Sequence, residues 1–354
     1  MLSRASSAID RGALRFMERR MAPRTPRIHE GARALIVEAA RRYRDGTLGL
    51  PSPFFPVPQL PDVQLQPAGD GPLGTQIVDL SFRSDYEPFL RDSRDVYLAH
   101  AENGTAYARW WTSDRGRPTI VMIHGWGGGN YWIEERAFVV PYWLKHGYDV
   151  VVFQLPFHGF RAAKAGSVAA AMLPNFPSSN PVRTNEGFGH AIYDLRALAM
   201  FLRARGTSAI GAMGMSLGGY TTALWATIEP LDFAVAMIPA VSMAHLMWNH
   251  GEDSPVRRRA IAAGITVELI AEAYEVHSPL ARPPLVPAGR RFVIAGKGDR
   301  ITPPDQAAQL ARHWSSDVLW FDGGHLAQVG RAAAFREVRR ALGNAGFPGR
   351  TFRA

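Results

Sequence analysis

A single serine, Ser216, stands between two glycines in Ala212-Met213-Gly214-Met215-Ser216-Leu217-Gly218-Gly219. An apolar run (Ala209, Ile210, Ala212, Met213) leads into it, and a helix-compatible stretch from Tyr220 to Thr227 follows. The G-x-S-x-G spacing suits a sharp strand-to-helix turn. Glycines relieve the crowding of the two backbones there, and the hydroxyl is pushed out above the sheet. Alone, the motif is equally a glycine-rich turn that happens to carry a hydroxyl. The hydroxyl becomes a nucleophile only if the chain also supplies a base, an acid to orient it, and donors for a developing oxyanion.

Three further stretches can supply them. His124-Gly125-Trp126-Gly127-Gly128-Gly129 follows an apolar run and can present backbone N–H groups to an oxyanion. The candidate donors are the N–H groups of Trp126 and of Leu217, the residue after the serine. Phosphate binding is the competing use of such a loop, but no Lys-Ser/Thr follows and the dinucleotide spacing is absent. Ala295-Gly296-Lys297-Gly298-Asp299-Arg300 places a carboxylate after another apolar run, where Asp299 can orient a histidine. Phe321-Asp322-Gly323-Gly324-His325-Leu326 places an imidazole at the end of the last predicted strand. The candidate triad is therefore Ser216, Asp299 and His325, in the chain order of one class of serine hydrolase. Asp322 is the alternative acid, three residues before the base. His124 is expected to pack under the glycine loop and His158 to shape the turn after its strand. His245, His250 and His277 are spaced too irregularly for a metal site.

The elements that must position these groups read as an α/β pattern. Pro118–His124, around Thr-Ile-Val-Met-Ile, and Asp149–Leu155 hold continuous apolar runs, as in strands buried on both faces of a parallel sheet. Later strands are predicted at Phe233–Ile238, Arg291–Ala295 and Val318–Phe321, alternating with helices at about 185–205, 217–228, 303–314 and 326–342. Asn103-Gly104 predicts a hairpin between strands Val96–His100 and Thr105–Trp111. Thr302 with Asp305, and Pro303 between them, predict a helix N-cap. Ahead of this core, residues 8–21 (Leu14, Met17, Met21) and 32–44 (Ile36, Ala39, Ala40, Tyr43) have helical periodicity with arginine on the polar face. Residues 47–75 form a Pro-rich arm. The division is thus 1–75 for helices and arm, 76–240 with 289–345 for the core, 241–288 for an insertion, and 346–354 for a basic tail.

From Gln76 to Leu342 the chain resembles the α/β-hydrolase superfamily, on Gly214-Met215-Ser216-Leu217-Gly218, His124-Gly125-Trp126-Gly127, Gly298-Asp299 and Gly324-His325. Within it the chain looks like serine esterases of the dienelactone-hydrolase or prolyl-oligopeptidase-like kind. A weaker similarity to alpha/beta hydrolase domain-containing protein 18 rests on three features. These are Tyr131-Trp132 and Arg136 after the glycine loop, Pro156-Phe157-His158-Gly159-Phe160-Arg161, and the basic N-terminus. The resemblance implies a mostly parallel sheet with helices on both faces, an acyl-enzyme mechanism without cofactor, and a cap in residues 241–288. A substrate pocket is then expected at Gly125, Met215, Met247 and Trp248, with Met172, Leu173 and Phe176 of loop 160–183 as its other wall. The substrate expected is a small-molecule or lipid-like ester, with amide, peptide or thioester as the alternatives that keep the same triad.

Composition narrows the partners. The 354 residues hold no cysteine, which excludes disulfides and a thiol nucleophile. Net charge is +9, and residues 1–46 carry eleven Arg against five acidic residues, hence +6 of it. No nucleic-acid module accompanies that charge, so nucleic acid is not expected. Peripheral membrane contact through residues 1–46 is the minority reading beside packing against the core or a partner subunit. Asp10, Arg11, Arg15 and Glu18 interrupt any signal-peptide core, and no apolar run reaches a membrane span. A soluble cytoplasmic protein is expected, of unspecified oligomeric state.

Overall fold

The computed structural model describes residues 2–21, 31–44, 47–113, 115–163, 176–250 and 255–348. Nine strands form one sheet: β1 (Val63–Asp70), β2 (Gln76–Arg83), β3 (Thr105–Thr112), β4 (Thr119–Ile123), β5 (Asp149–Phe153), β6 (Ile210–Met215), β7 (Phe233–Met237), β8 (Arg291–Gly296) and β9 (Val318–Phe321). Their order is β1-β2-β3-β5-β4-β6-β7-β8-β9. The first three and β5 pair antiparallel, and every pair from β5 through β4 to β9 is parallel.

Strands β4, β5 and β7 are buried at every residue, because helices cover both faces. In β4, Val121 and Ile123 join one apolar layer while Ile120 and Met122 join the other, the period-two alternation of a pleated strand. The first layer takes in the long helix Pro181–Ala204, the helix Leu217–Trp225 after the serine, and Pro304–Trp314. The second takes in Val140–Lys145 and Arg331–Asn344. Numbered along the chain, the helices are α1 (Leu2–Met21), α2 (Ala32–Arg44), α3 (Arg94–Leu98), α4 (Tyr131–Ala137), α5 (Val140–Lys145) and α6 (Pro181–Ala204). They continue with α7 (Leu217–Trp225), α8 (Met243–His250), α9 (Pro255–Ala262), α10 (Val267–Ala273), α11 (Pro304–Trp314) and α12 (Arg331–Asn344). Among the described residues no helix is long and apolar enough to cross a membrane.

Four expectations change. First, the Pro-rich arm contributes β1 to the sheet, so the sheet begins before residue 76. Second, Asn103-Gly104 closes no hairpin: residues 94–98 are helical, and β3 pairs with β2 across a long excursion. Non-local bonds claim Asn103. Its Oδ1 accepts from Phe157 N at 2.7 Å, and its carbonyl accepts from the buried Arg161 at 2.9 Å. Arg161 also meets Asp194 at 2.8 Å, and Ser84 and His190 complete this buried network.

Third, α1 starts at Leu2 rather than at residue 8, and its buried residues are polar although they share a face with Leu14, Met17 and Met21. The face it buries is Ser6, Ser7 and Asp10, while Leu2, Ile9 and Phe16 are exposed. The helical period is present, but its inner stripe is polar because it packs on loops whose backbone groups need partners. Fourth, the hydroxyl of Thr302 does not cap α11. Pro303 occupies that position, and Thr302 turns elsewhere, as described below. Helix α2 follows expectation, burying Ala39, Ala40 and Tyr43, with Tyr43 bonded to the buried Glu186 at 2.5 Å. Helix α10 of the insertion packs against α2.

Candidate active site

The parallel strands bring four loops to one edge of the sheet, since each follows a strand's carboxyl end. Ser216 follows β6, the glycine loop follows β4, Asp299 lies three residues beyond β8, and His325 lies four beyond β9. In open α/β sheets this is the edge where ligands bind.

Ser216 has φ 58° and ψ −113°, a conformation that non-glycine residues rarely adopt. The surrounding structure enforces it. Ser216 N donates to Met237 O at 2.9 Å, and its carbonyl accepts from Tyr220 N at 3.0 Å and Ala240 N at 3.2 Å. The flanking glycines have a steric reason. A Cβ on Gly214 would stand 1.9 Å from Gly218 O, and one on Gly218 would stand 1.9 Å from Ile123 O. Gly125 runs directly against the serine: an added Cβ there would lie 3.4 Å from Ser216 Cβ and 4.0 Å from its Oγ.

The glycine loop is held from below by neutral and acidic side chains. Leu155 N donates to His124 Nε2 at 3.1 Å, so the ring proton is on Nδ1, which donates to Gly125 O at 2.8 Å. Burial lowers the His124 pKa to about 4. His158 lies beside it, with ring centroids 5.0 Å apart, and is lowered to about 3, first by burial and then by His124. Neither histidine is hydrogen-bonded to Ser216: His124 supports the loop, and His158 bonds Pro156 O at 2.8 Å in the turn after β5. Gly127 has φ 76° and Gly129 φ 104°, which curl the loop. Gly129 N donates to Glu134 Oε1 at 3.0 Å. Among the described residues neither the Trp126 nor the Leu217 N–H has a backbone acceptor. Leu217 N belongs to the first turn of α7, whose donors have no intrahelical partner.

Burial raises the Glu134 carboxyl to about 6, against its single amide partner. A carboxyl raised on folding binds its proton more tightly in the native state. Its favourable contribution is therefore complete below the unfolded value near 4.5 and is lost as pH rises through about 6. Glu134→Gln removes this dependence. Its stability relative to wild type is expected to rise by about 2 kcal/mol between pH 4.5 and 7. Urea unfolding of both proteins across that range measures it, and a constant difference would contradict the assignment.

Asp299 and His325 are brought together. Asp299 Oδ2 lies 2.8 Å from His325 Nδ1, and both residues are buried. Asp299 Oδ1 accepts from Ile301 N at 2.9 Å and Thr302 N at 2.8 Å, which fixes the carboxylate plane. With Nδ1–H directed at the carboxylate, Nε2 keeps its lone pair. Asp322 is separate: it is exposed and paired with Lys297 at 2.8 Å, which holds its carboxyl below the usual range.

The family profile described as alpha/beta hydrolase fold matches residues 118–260. Acetyl xylan esterase 1 from Thermoanaerobacterium sp. JW/SL YS485 superposes with a TM-score of 0.55 at 16% identity, over 86% of this chain and 93% of that one. Acetyl xylan esterase from Paenibacillus sp. R4 gives 0.53 at 14% identity, over 88% and 94%. The chain has the α/β-hydrolase fold. Two uncharacterized proteins of Mycobacterium tuberculosis are closer in sequence. MT2702 (strain CDC 1551 / Oshkosh) is 29% identical over 85% of this chain and 72% of its own length. Rv2627c (strain ATCC 25618 / H37Rv) is 30% identical over 71% of this chain, which spans 60% of that protein.

On this hydrolase fold the remaining candidates fall as follows. Met215 is half-buried and receives Gln328 Nε2 at 3.3 Å on its sulfur, which ties the serine strand to the histidine loop. Trp126 packs on the first apolar layer. Met247 is exposed on α8, while Trp248 lies under the Arg257 guanidinium at 4.9 Å. Arg257 is thus packed on α8 and donates to Trp248 O at 3.3 Å. Phe176 is fully buried against Phe188, with ring centroids 4.8 Å apart, and so is a core residue rather than a pocket wall. Met172 and Leu173 lie outside the described residues, as does most of the basic tail. A surface cleft of about 900 Å³ lies elsewhere, at the edge of the sheet against Arg83 and Tyr193, and holds none of the candidates.

Two residues at the site carry no signal in the sequence that places them there. Thr302 Oγ1 lies 3.0 Å from Asp299 Oδ2, 3.1 Å from His325 Nδ1 and 2.9 Å from Ile238 O. Its one proton goes to the carbonyl or the carboxylate, and its lone pairs face the imidazole N–H. Asp10, the other, bonds the backbone of the histidine loop. Its signal was available only in part: an acidic residue on the inner stripe of a helix, with no local partner.

Proposed function

We propose that the protein is a serine hydrolase that cleaves a carboxylic ester through an acyl-enzyme. One observation carries the reading: the buried Asp299–His325 pair, 2.8 Å apart, on the same sheet edge as a strained, glycine-flanked serine. His325 Nε2 takes the Ser216 proton, and Oγ attacks the carbonyl carbon. The N–H groups of Trp126 and Leu217 bind the oxygen as it becomes negative. The imidazolium, stabilised by Asp299, gives its proton to the departing alcohol, and water then repeats the cycle on the acyl-serine. Gly125, Met215, Met247 and Trp248 are assigned to the acyl side, with the α8–α10 insertion as a cap. The two fold relatives above are named as acetyl xylan esterases, which supports an ester over an amide.

Hydrolysis of p-nitrophenyl acetate, p-nitrophenyl octanoate and an acyl p-nitroanilide, with fluorophosphonate labelling, tests this. We expect labelling and ester turnover at least about tenfold above the anilide in kcat/KM, reflecting the poorer amine leaving group. Anilide turnover equal to that of the esters would move the assignment to an amidase. Absence of both labelling and turnover would move it to a binding protein on this fold.

A further inference from the structure

Helix α1 reaches the candidate site through one side chain. The Asp10 carboxylate is completely buried and accepts three backbone N–H groups. Oδ2 accepts from Arg300 at 3.1 Å and from His325 at 2.8 Å, and Oδ1 accepts from Leu326 at 3.1 Å. Arg300 follows Asp299 in the β8 loop, and the other two donors are His325 itself and its successor in the β9 loop. A single carboxylate therefore bridges the two loops that carry the acid and the base, from a helix near the other end of the chain.

The rest of the helix face agrees. Ser7 Oγ donates to Gly298 O at 2.7 Å, and Ser6 Oγ reaches Ala327 O at 3.4 Å. The residues immediately before Asp299 and His325 are both glycine, and α1 is the reason. A Cβ on Gly298 would stand 2.5 Å from Ser3 O, and one on Gly324 would stand 2.6 Å from Asp10 Oδ2. The polar character of the buried face of α1 is explained by the same contact. Its buried serines and aspartate pair with loop backbone, while Leu2, Ile9 and Phe16 are exposed.

We propose that Asp10 is a positioning residue for the hydrolase reaction, clamping the Asp299 and His325 loops in the register at which the acid and base meet. This rests on the serine-hydrolase reading above. Without the carboxylate, three N–H groups at the loop junction lose a charged acceptor, and each loop is free to move against the other. Displacement of a reacting group by about 1 Å is enough to cost on the order of 10²-fold in rate.

The experiment compares wild type, Asp10→Asn and Asp10→Ala as full-length proteins on p-nitrophenyl acetate. Turnover is expressed per serine titrated with a fluorophosphonate, and thermal midpoints are recorded alongside. Asparagine keeps one oxygen for the Arg300 and His325 donors but turns an NH₂ toward Leu326 N. We expect kcat per titrated serine to fall about tenfold in Asp10→Asn and on the order of 10²-fold in Asp10→Ala, with KM within about threefold. A purely structural role would lower the thermal midpoint or the titratable fraction and leave kcat per serine unchanged. That result, or a change confined to KM, overturns the proposal, and Asp10→Asn decides alone if the alanine variant does not fold. Ser216→Ala, run in parallel, separates the two failures. If it retains wild-type turnover, the serine-hydrolase reading has failed. If it is inactive while the Asp10 variants keep full kcat, only the clamp has failed.

Discussion

Replacing Ser216 by alanine is expected to lower kcat for ester hydrolysis on the order of 10⁶-fold, leaving substrate binding and folding nearly untouched. The size follows from the unit in which the serine acts. Without Oγ there is no acyl-enzyme, and His325 and Asp299 have nothing to deprotonate. Only the oxyanion donors remain, and they assist a water poorly placed to attack. The backbone argues that the substitution is otherwise silent. The positive φ of Ser216 is imposed by bonds from its N–H and carbonyl to Met237, Tyr220 and Ala240, none of which involves the hydroxyl. Alanine meets the same Cβ constraint as serine at φ 58°. The thermal midpoint should therefore stay within a few degrees while fluorophosphonate labelling disappears. Turnover above about 1% of wild type, on protein purified free of contaminating esterase, would show that another nucleophile is at work.

What could be read in the sequence were features whose cause is local. Pro118–His124 and Asp149–Leu155 announced strands buried on two faces because their apolar runs are continuous, and the sheet places β4 and β5 side by side and parallel. Gly214 and Gly218 announced a tight turn because the clash they avoid lies within a few residues or on the next strand. The features that could not be read are set by partners far away along the chain. Asn103-Gly104 has the composition of a hairpin turn, but Arg161 and Phe157 take the bonds that a hairpin would have left free. Thr302 has the spacing of a helix cap, but the Asp299 carboxylate and the Ile238 carbonyl are better placed for its hydroxyl. The buried face of α1 is the sharpest case. Counting apolar residues selects Leu14, Met17 and Met21, and two turns earlier on that face the structure buries the polar Ser6, Ser7 and Asp10 against loops some 290 to 320 positions away. Periodicity identified the helix, and Leu14, Met17 and Met21 share the face of Ser7 and Asp10; that the buried part of this face is polar is legible only once the backbone donors it serves are known.

Asp299→Asn is expected to lower kcat by about 10⁴-fold, with Asp322→Asn within about threefold of wild type. The loss at Asp299 comes from proton placement. Oδ1 of the native carboxylate accepts the N–H groups of Ile301 and Thr302, so an asparagine must keep its carbonyl oxygen there. Its NH₂ then occupies the Oδ2 position, 2.8 Å from His325 Nδ1, and donates where the native carboxylate accepted. The imidazole responds by leaving Nδ1 bare and carrying its proton on Nε2, so the nitrogen assigned to take the Ser216 proton has no lone pair for it. Thr302 reinforces the change, since its hydroxyl can donate to a bare Nδ1 as readily as it accepts from Nδ1–H. At Asp322 the side chain is exposed and its partner is Lys297, so an asparagine there removes a surface ion pair worth little and leaves His325 alone. Steady-state kinetics on p-nitrophenyl acetate, normalised to titrated serine, compare the two variants directly. A larger loss in Asp322→Asn than in Asp299→Asn would transfer the acid to the other carboxylate and require the β9 loop to turn over in the working enzyme.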